Sequence, residues 1–166
     1  GIQDFEKLRE SGCIYVDKTA FVYRLARERT PYFLSRPRRF GKSLLLSTME
    51  YYFLGEKELF KGLAIEKLEK DWTEYPVLKI SFGGGSYNTN ERLKERLDAI
   101  VSEFEEKFDA KKAFKDSGER LNSVIKSIYE KNGKQVVILI DEYDKPILDA
   151  LYTDDEEKNR QELRNF

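Results

Sequence analysis

Apolar residues in the first third of the chain alternate between helical spacing and short β-type runs. Ile2, Phe5 and Leu8 recur at near-helical spacing and predict a first helix, and the residues at 13–16 predict a short strand. A second predicted helix begins at the cap Thr19 and runs to about residue 28. Its apolar face is predicted to carry Phe21, Val22 and Leu25.

Residues 32–34 form a brief apolar run that predicts a buried strand, and a loop follows over residues 35–41. Helical spacing then returns at 44–54, where Gly55 ends the pattern. The segment 56–75 indicates short helical turns. Its predicted buried side carries Phe60, Leu63, Ile65 and Leu68.

The second half of the chain predicts two strands separated by two amphipathic helices. The strands are at 77–82 and 135–140, and the helices are separated by Ser117-Gly118. The run at 135–140 is β-branched and does not alternate with polar residues, which is typical of a strand covered on both faces. Helices between such strands predict a parallel sheet in an α/β fold.

Gly41-Lys42-Ser43 is the triplet with the clearest chemical meaning, because it follows a predicted strand and loop and opens a predicted helix. In such a loop, backbone N–H groups and the positive end of the helix bind phosphate oxygens. Lys42 is the candidate contact to the β and γ phosphates, and Ser43 is a candidate ligand of Mg²⁺. An ordinary helix start is the alternative interpretation.

A second candidate lies where the strand at 135–140 ends in Asp141-Glu142. Ligands of open α/β sheets bind at the carboxyl ends of strands, so both acids are expected to face the same crevice as Lys42. Asp141 is the candidate magnesium ligand and Glu142 the candidate catalytic base that polarises the attacking water. Asp144 is either a helix cap or a group that supports the site.

The loop departs from the usual phosphate-binding pattern G-x-x-x-x-G-K-[S/T], because Arg36 stands at its first position. Pro37 removes one N–H donor, and Arg38 and Arg39 either contact phosphates or project into solvent. The candidate nucleotide-binding residues are Arg36, Pro37, Arg38, Arg39, Phe40, Gly41, Lys42, Ser43 and Leu44.

Composition excludes several other chemistries. The chain has 166 residues with no His and one Cys, so imidazole catalysis, His-ligated zinc, disulfides and cysteine clusters are ruled out. Lys plus Arg number 30 against 31 Asp plus Glu, which does not indicate a nucleic-acid partner. With no long apolar stretch or secretory pattern, the expected location is the cytoplasm, without a membrane partner.

The sequence resembles the predicted AAA-ATPase (AAA-ATPase-like) family of the P-loop NTPase superfamily. The resemblance is carried by residues 15–19, by PYFLSRPRRFGKSLLL at 31–46 and by VVILIDEYDKP at 136–146. It implies ATP and Mg²⁺ as cofactors, a three-layer parallel sheet flanked by helices, and a nuclease-like domain of the PD-(D/E)XK type that often follows in longer members. The implied division is a lead-in at 1–30 and an NTPase core at 31–166.

The resemblance also implies parts that the sequence does not contain, namely a polar sensor residue and an arginine finger. We therefore expect a domain truncated at its C-terminus, with homo-oligomerisation through the open position in the sheet. Tyr15, Asp17 or Thr19 either contact adenine or serve only packing and capping. Three functions remain: a magnesium-dependent ATPase, a nucleotide-binding regulatory or scaffold module without significant turnover, and a small-molecule kinase.

Overall fold

The computed structural model describes residues 2–28, 30–35, 39–112 and 114–166. The chain divides into two compact units, residues 1–77 and 78–166. The first unit is helical. Its elements are α1 (Phe5–Glu10), α2 (Thr19–Glu28), α3 (Lys42–Phe53), a 3₁₀ helix (Lys57–Phe60) and α4 (Ala64–Leu68).

Aromatic side chains dominate the core of the first unit. The rings of Phe5 and Phe60, both fully buried, lie 4.9 Å apart between centroids, and Trp72 lies 5.2 Å from Phe60. Tyr52 of α3 and Val22 of α2 complete this cluster. The helices predicted near Phe5, Thr19 and residues 44–54 are therefore confirmed, as are the buried positions Phe60, Leu63 and Ile65.

Two strand predictions in the first unit are wrong. Residues 13–16 and 32–34 lie outside any helix or strand, and Ile14 and Phe33 are 94% and 67% exposed. A strand needs a neighbouring strand to pair its N–H and C=O groups, and β-branched composition alone does not supply one. The apolar faces predicted for the second helix and for residues 56–75 were also too wide, because Phe21 and Leu68 are exposed.

The second unit contains the sheet. After β1 (Val77–Ser81), which begins at the last residue of the first unit, come α5 (Asn90–Lys107), α6 (Ser117–Asn132), β2 (Val137–Asp141), α7 (Lys145–Leu148) and α8 (Glu156–Asn165). β1 and β2 form a small parallel sheet of two strands in the described part of the chain. The prediction that helices alternate with parallel strands is confirmed for these two strands.

The two strands of the sheet differ in how far helices cover them. Leu78 and Ile80 of β1 are buried against the apolar faces of α5 and α6, as the helical spacing predicted. The bond from Phe82 N–H to the Asp141 carbonyl places Ile138 and Ile140 of β2 on the same face of the sheet. These two side chains are 41% and 44% exposed, so the expectation of a strand covered on both faces is wrong for the described structure. A three-layer arrangement needs helices over β2 as well.

A buried ion pair joins α5 to α6. Arg120 is 1% exposed, and its guanidinium donates to both carboxylate oxygens of Glu105, at 2.9 Å from Nε and 2.5 Å from Nη2. The same guanidinium binds Asp98 and, at 2.8 Å, the hydroxyl of Ser102. These contacts satisfy the buried charge, which would otherwise be very costly inside the fold.

No helix in the described ranges is both long enough and apolar enough to cross a membrane.

Candidate functional site

The predicted phosphate loop ends in a sharp change of backbone direction before α3. Arg39 and Gly41 both adopt left-handed φ angles, of 66° and 76°. Phe40 between them is 62% exposed. Arg36, Pro37 and Arg38 lie outside the described residues.

α3 begins at Lys42 without a capping side chain, because its N-cap is Gly41. The N–H of Leu45 is the first to bond back within the helix, to the carbonyl of Gly41 at 2.9 Å. The preceding N–H groups, those of Lys42, Ser43 and Leu44, have no acceptor within an α-helix. A Cβ on Gly41 would meet no atom of the described residues within 4 Å.

The remainder of α3 is fixed to its own unit by buried polar side chains. Ser47 Oγ accepts the N–H of Phe5 at 3.0 Å, which attaches the start of α1. Thr48 Oγ1 donates to the carbonyl of Leu44 at 2.8 Å. The Leu44 side chain itself packs against the aromatic core, so Leu44 would contact a ligand through its backbone N–H.

The second candidate motif lies at the end of β2. The ladder with β1 continues to the bond from Phe82 N–H to the carbonyl of Asp141, 3.2 Å long. Glu142 then leaves the strand with a left-handed φ of 53°, which is uncommon for a residue with a side chain. Asp141 Oδ1 accepts the N–H of Glu142 at 3.0 Å and stabilises this turn.

The Glu142 side chain is exposed and extends towards the loop after β1. Its Oε2 lies 3.4 Å from the position that a Cβ on Gly83 would occupy. Sequence reasoning identified Glu142 but not this neighbour, because the two residues are far apart in the chain. The glycine run at 83–85 after a strand was the signal that could have found it.

The string at 15–19, which carries part of the family resemblance, is engaged in local structure. Asp17 Oδ1 accepts from the N–H and the hydroxyl of Thr19, at 2.8 and 2.7 Å, and Oδ2 accepts from the N–H of Ala64 at 2.7 Å. Burial alone would raise the pKa of Asp17, but these hydrogen bonds outweigh burial and lower it. Thr19 is fully buried and its hydroxyl accepts from Ile65 N–H, so Asp17 and Thr19 together bind the first N–H groups of α4. The prediction that Thr19 caps its own helix is wrong, because Thr19 is the first residue of α2 and its hydroxyl bonds elsewhere.

The residues after Glu142 also have structural partners. Lys145 Nζ lies 2.6 Å from Asp149 Oδ2, and that carboxylate accepts the N–H of Tyr87 at 3.0 Å. Asp144 occupies the N-cap position of α7, although its side chain makes no capping bond. Lys145 is therefore engaged in holding α7 to the loop after β1.

Asn159 is a buried polar residue that sequence reasoning missed. Its side chain is fully buried and donates to the carbonyls of Tyr87 and Pro146, both at 2.9 Å, while Asn90 donates to its oxygen at 3.2 Å. No local pattern around residue 159 distinguishes this asparagine from an exposed one, because all three partners are distant in sequence.

The donor chemistry of the predicted magnesium ligands fits that cation. Ser43 offers a hydroxyl and Asp141 a carboxylate, and Mg²⁺ prefers such oxygen ligands completed by water and phosphate. Within the described ranges no group of three or more His, Cys, Asp or Glu residues could hold a metal by itself. Ser43 belongs to the first compact unit and Asp141 to the second.

These features define an α/β domain in which an uncapped helix start and an acidic strand end carry the candidate chemistry. The chain matches the AAA-ATPase-like family, described as predicted AAA-ATPase, over residues 1–166, and it belongs to that family. Membership associates the chain with ATPases and nucleotide binding in general.

A relative among curated proteins is an uncharacterized protein in the vnfD 5' region of Azotobacter chroococcum mcd 1. It is 42% identical over 153 residues, which cover 91% of this chain. The matched segment spans 30% of the relative's own length. No solved structure matches this chain.

Proposed function

We propose that this chain binds ATP together with Mg²⁺ and hydrolyses it. The observation that carries the proposal is the start of α3, where Lys42, Ser43 and Leu44 follow the left-handed residues Arg39 and Gly41 and the N-cap glycine supplies no capping side chain. A helix start with a lysine and no capping side chain favours a polyphosphate, because the helix dipole and the lysine are both positive there. Family membership agrees with this ligand class.

Lys42 would bind the β and γ phosphates, and Ser43 and Asp141 would hold the magnesium ion. When bound, the ion neutralises the charge that develops on the transferred phosphoryl group. The three-layer P-loop fold, with a larger parallel sheet, is part of the proposal.

Glu142 is the proposed catalytic base. Its carboxylate is exposed at the carboxyl end of β2, one residue after the proposed magnesium ligand. From there it would orient a water molecule for attack on the γ phosphate, since phosphoryl transfer depends on positioning and charge stabilisation. The adjacent Asp141 holds the turn through its bond to the Glu142 N–H.

Calorimetric titration with ATP and Mg²⁺ tests binding, and Lys42→Ala is the critical variant. Loss of charge-assisted hydrogen bonds, worth about 1.5–3 kcal/mol, should weaken ATP binding by about 10- to 150-fold. Lys67→Ala, which removes an exposed lysine of α4, should bind as the parent chain does. Normal affinity in Lys42→Ala would remove the phosphate-loop interpretation.

The alternative function is a regulatory or scaffold module that binds nucleotide without significant turnover. The chain spans 30% of the relative's length, so turnover that needs residues from the rest of such a protein would be missing here while nucleotide binding remained. Phosphate release measured on the calorimetry sample separates the two functions. Binding with no release would support the module, and release that depends on Mg²⁺ would support the ATPase.

Homo-oligomerisation through β2 is a second proposal about this chain. Ile138 and Ile140 expose apolar, β-branched side chains on a strand whose partner in the described structure is β1. Such strands readily pair with a further strand. Light scattering should show a mass that rises with concentration, and a monomer at every concentration would contradict the proposal.

The nuclease-like domain in the full-length protein remains a prediction.

A further inference from the structure

We propose that the glycine-rich loop at 83–86 is a lid that opens to expose the hydroxyl of Tyr87. The proposal concerns the second unit alone and does not rest on the proposed function. Tyr87 is 2% exposed, and its buried hydroxyl has no hydrogen-bond partner among the residues that the structure describes. Such a group loses its bonds to water on folding and gains none in return, so it destabilises the arrangement that buries it.

The charged groups that act on the Tyr87 ring explain why its hydroxyl lacks an acceptor. Lys145 Nζ lies 5.6 Å from the ring centre. Burial, the largest influence, raises the pKa of the hydroxyl, and the positive charges of Arg96 and Lys145 offset this only in part. The hydroxyl therefore keeps its proton at neutral pH, and neither cation can accept it. The Asp149 carboxylate accepts instead from Lys145 Nζ and from the N–H of Tyr87.

Gly85 covers the tip of the Tyr87 ring. A Cβ on Gly85 would lie 2.4 Å from the hydroxyl oxygen and 2.5 Å from Cζ, distances at which one of the groups has to move. Gly85 has no left-handed φ, so close approach is the reason for glycine at this position. In this position the backbone of the loop shields the hydroxyl from water.

The ring beneath the loop is fixed by three neighbours. The N–H of Tyr87 donates to Asp149 Oδ2 at 3.0 Å, and its carbonyl accepts from Asn159 Nδ2 at 2.9 Å. The ring itself packs edge-on against Phe82, at 5.9 Å between centroids. Contact between the hydroxyl and water therefore requires movement of the loop and not of the ring.

The loop, in contrast, is attached at its two ends. Gly83 N–H donates to Ser81 Oγ at 3.2 Å, and the next bonded N–H is that of Tyr87. In the described part of the chain no hydrogen bond involves residues 84–86. Gly84 meets no described atom within 4 Å of its Cβ position. Glycine backbone with few bonds opens at low cost, and opening here also returns the hydroxyl to water.

The position of the lid gives its movement a consequence for ligands. The loop closely follows Ser81, the last residue of β1, so it lies at the carboxyl end of the sheet. Ligands of open α/β folds bind at this edge. With the lid open, the Tyr87 hydroxyl is a hydrogen-bond donor there, and with the lid closed it is hidden.

Tyr87→Phe tests whether the hydroxyl lacks a partner. It should raise the Tm by about 2–4 °C, because it removes the buried group that has no acceptor and leaves the ring. Tyr52→Phe is the matched control, since Tyr52 is 9% exposed and its hydroxyl donates to Glu69 Oε2 at 2.5 Å. This control should lower the Tm by a similar amount. An unchanged or lower Tm for Tyr87→Phe would overturn the proposal, because the hydroxyl would then have a partner.

Movement of the lid is measured on the ring that it covers. In a chain labelled with fluorotyrosine, the fluorine resonance of Tyr87 is the one missing from Tyr87→Phe. Relaxation dispersion should show exchange at this resonance on the timescale of lid opening, microseconds to milliseconds. Gly85→Ala cannot close over the ring, so its resonance should take the exposed position without dispersion, whereas Ser86→Ala, at an exposed neighbour, should match the parent. A parent resonance without dispersion would overturn the lid.

Discussion

Replacing Glu142 with glutamine should lower kcat for ATP hydrolysis by about 10²- to 10⁴-fold, the range typical of removing a general base. Glutamine keeps the size of the side chain and its place over Gly83 but cannot take a proton from water. The affinity for ATP and Mg²⁺ should stay the same, because Lys42, Ser43 and Asp141 are intact. Phosphate release and calorimetry on one sample measure both quantities.

Protein stability should not explain this loss. Glu142 is exposed, and both glutamate and glutamine meet the same left-handed φ, so the two chains should have nearly equal Tm values. Glu119→Gln, at an exposed position of α6, serves as the control and should hydrolyse ATP normally. Phosphate release at the parent rate in Glu142→Gln would show that another group activates the water.

Replacing Arg120 with leucine should lower the free energy of unfolding by about 3–5 kcal/mol, the typical cost of removing one partner from a buried ion pair. The cost arises because Glu105, 7% exposed, would keep its charge without the guanidinium that compensates it. Urea denaturation followed by circular dichroism measures the change. Leucine at both positions 105 and 120 should recover part of the loss, since the only carboxylate then left without the guanidinium in this cluster, Asp98, is 54% exposed.

The matched control lies on the same helix. Lys126→Ala breaks a pair with Glu130 in which the two side chains are 78% and 64% exposed, so the change should stay below about 0.5 kcal/mol. A loss from Arg120→Leu as small as this control would show that the buried pair contributes nothing to stability.

The pH dependence of stability gives a second measure of the same pair. Hydrogen bonds from Arg120 lower the pKa of Glu105 below its ordinary value. The parent chain therefore gains stability from this carboxylate above the unfolded pKa and loses it as pH falls through the lower folded pKa. In Arg120→Leu the buried carboxylate prefers its protonated form, so acidification should instead reduce the damage. The same acid-induced loss in both chains would contradict this assignment.

The sequence predicted those elements that carry their own periodicity or end signals. α3 and α6 have long apolar stripes and end near Gly55 and Gly133. α5 has such a stripe too, but it ends at Lys107, and the predicted break at Ser117-Gly118 is wrong because these two residues begin α6. β1 and β2 consist mostly of apolar residues. The wrong predictions at 13–16 and 32–34 have strand composition as well. What distinguishes β2 from these runs is a neighbour, β1, and pairing across many residues is invisible to local composition.

For the candidate site, too, some features could be predicted from the sequence and others could not. Residue types at Lys42, Ser43, Asp141 and Glu142 could be chosen from the sequence, because phosphate and magnesium chemistry requires those groups. The left-handed backbone at Arg39 and Glu142 could not be predicted, since most such positions favour glycine or asparagine. Whether the two motifs meet depends on long-range packing, which the sequence pattern does not encode locally.

The buried carboxamide of Asn159 makes α8 an integral part of the second unit. A chain cut before this residue would leave the carbonyls of Tyr87 and Pro146 without their donors. It would also uncover Gly118 of α6, which has no side chain where the Asn165 carbonyl approaches it. A domain boundary drawn just after the DEYDKP string would thus yield a partly unfolded, aggregation-prone fragment. Expression work should keep the chain intact through α8.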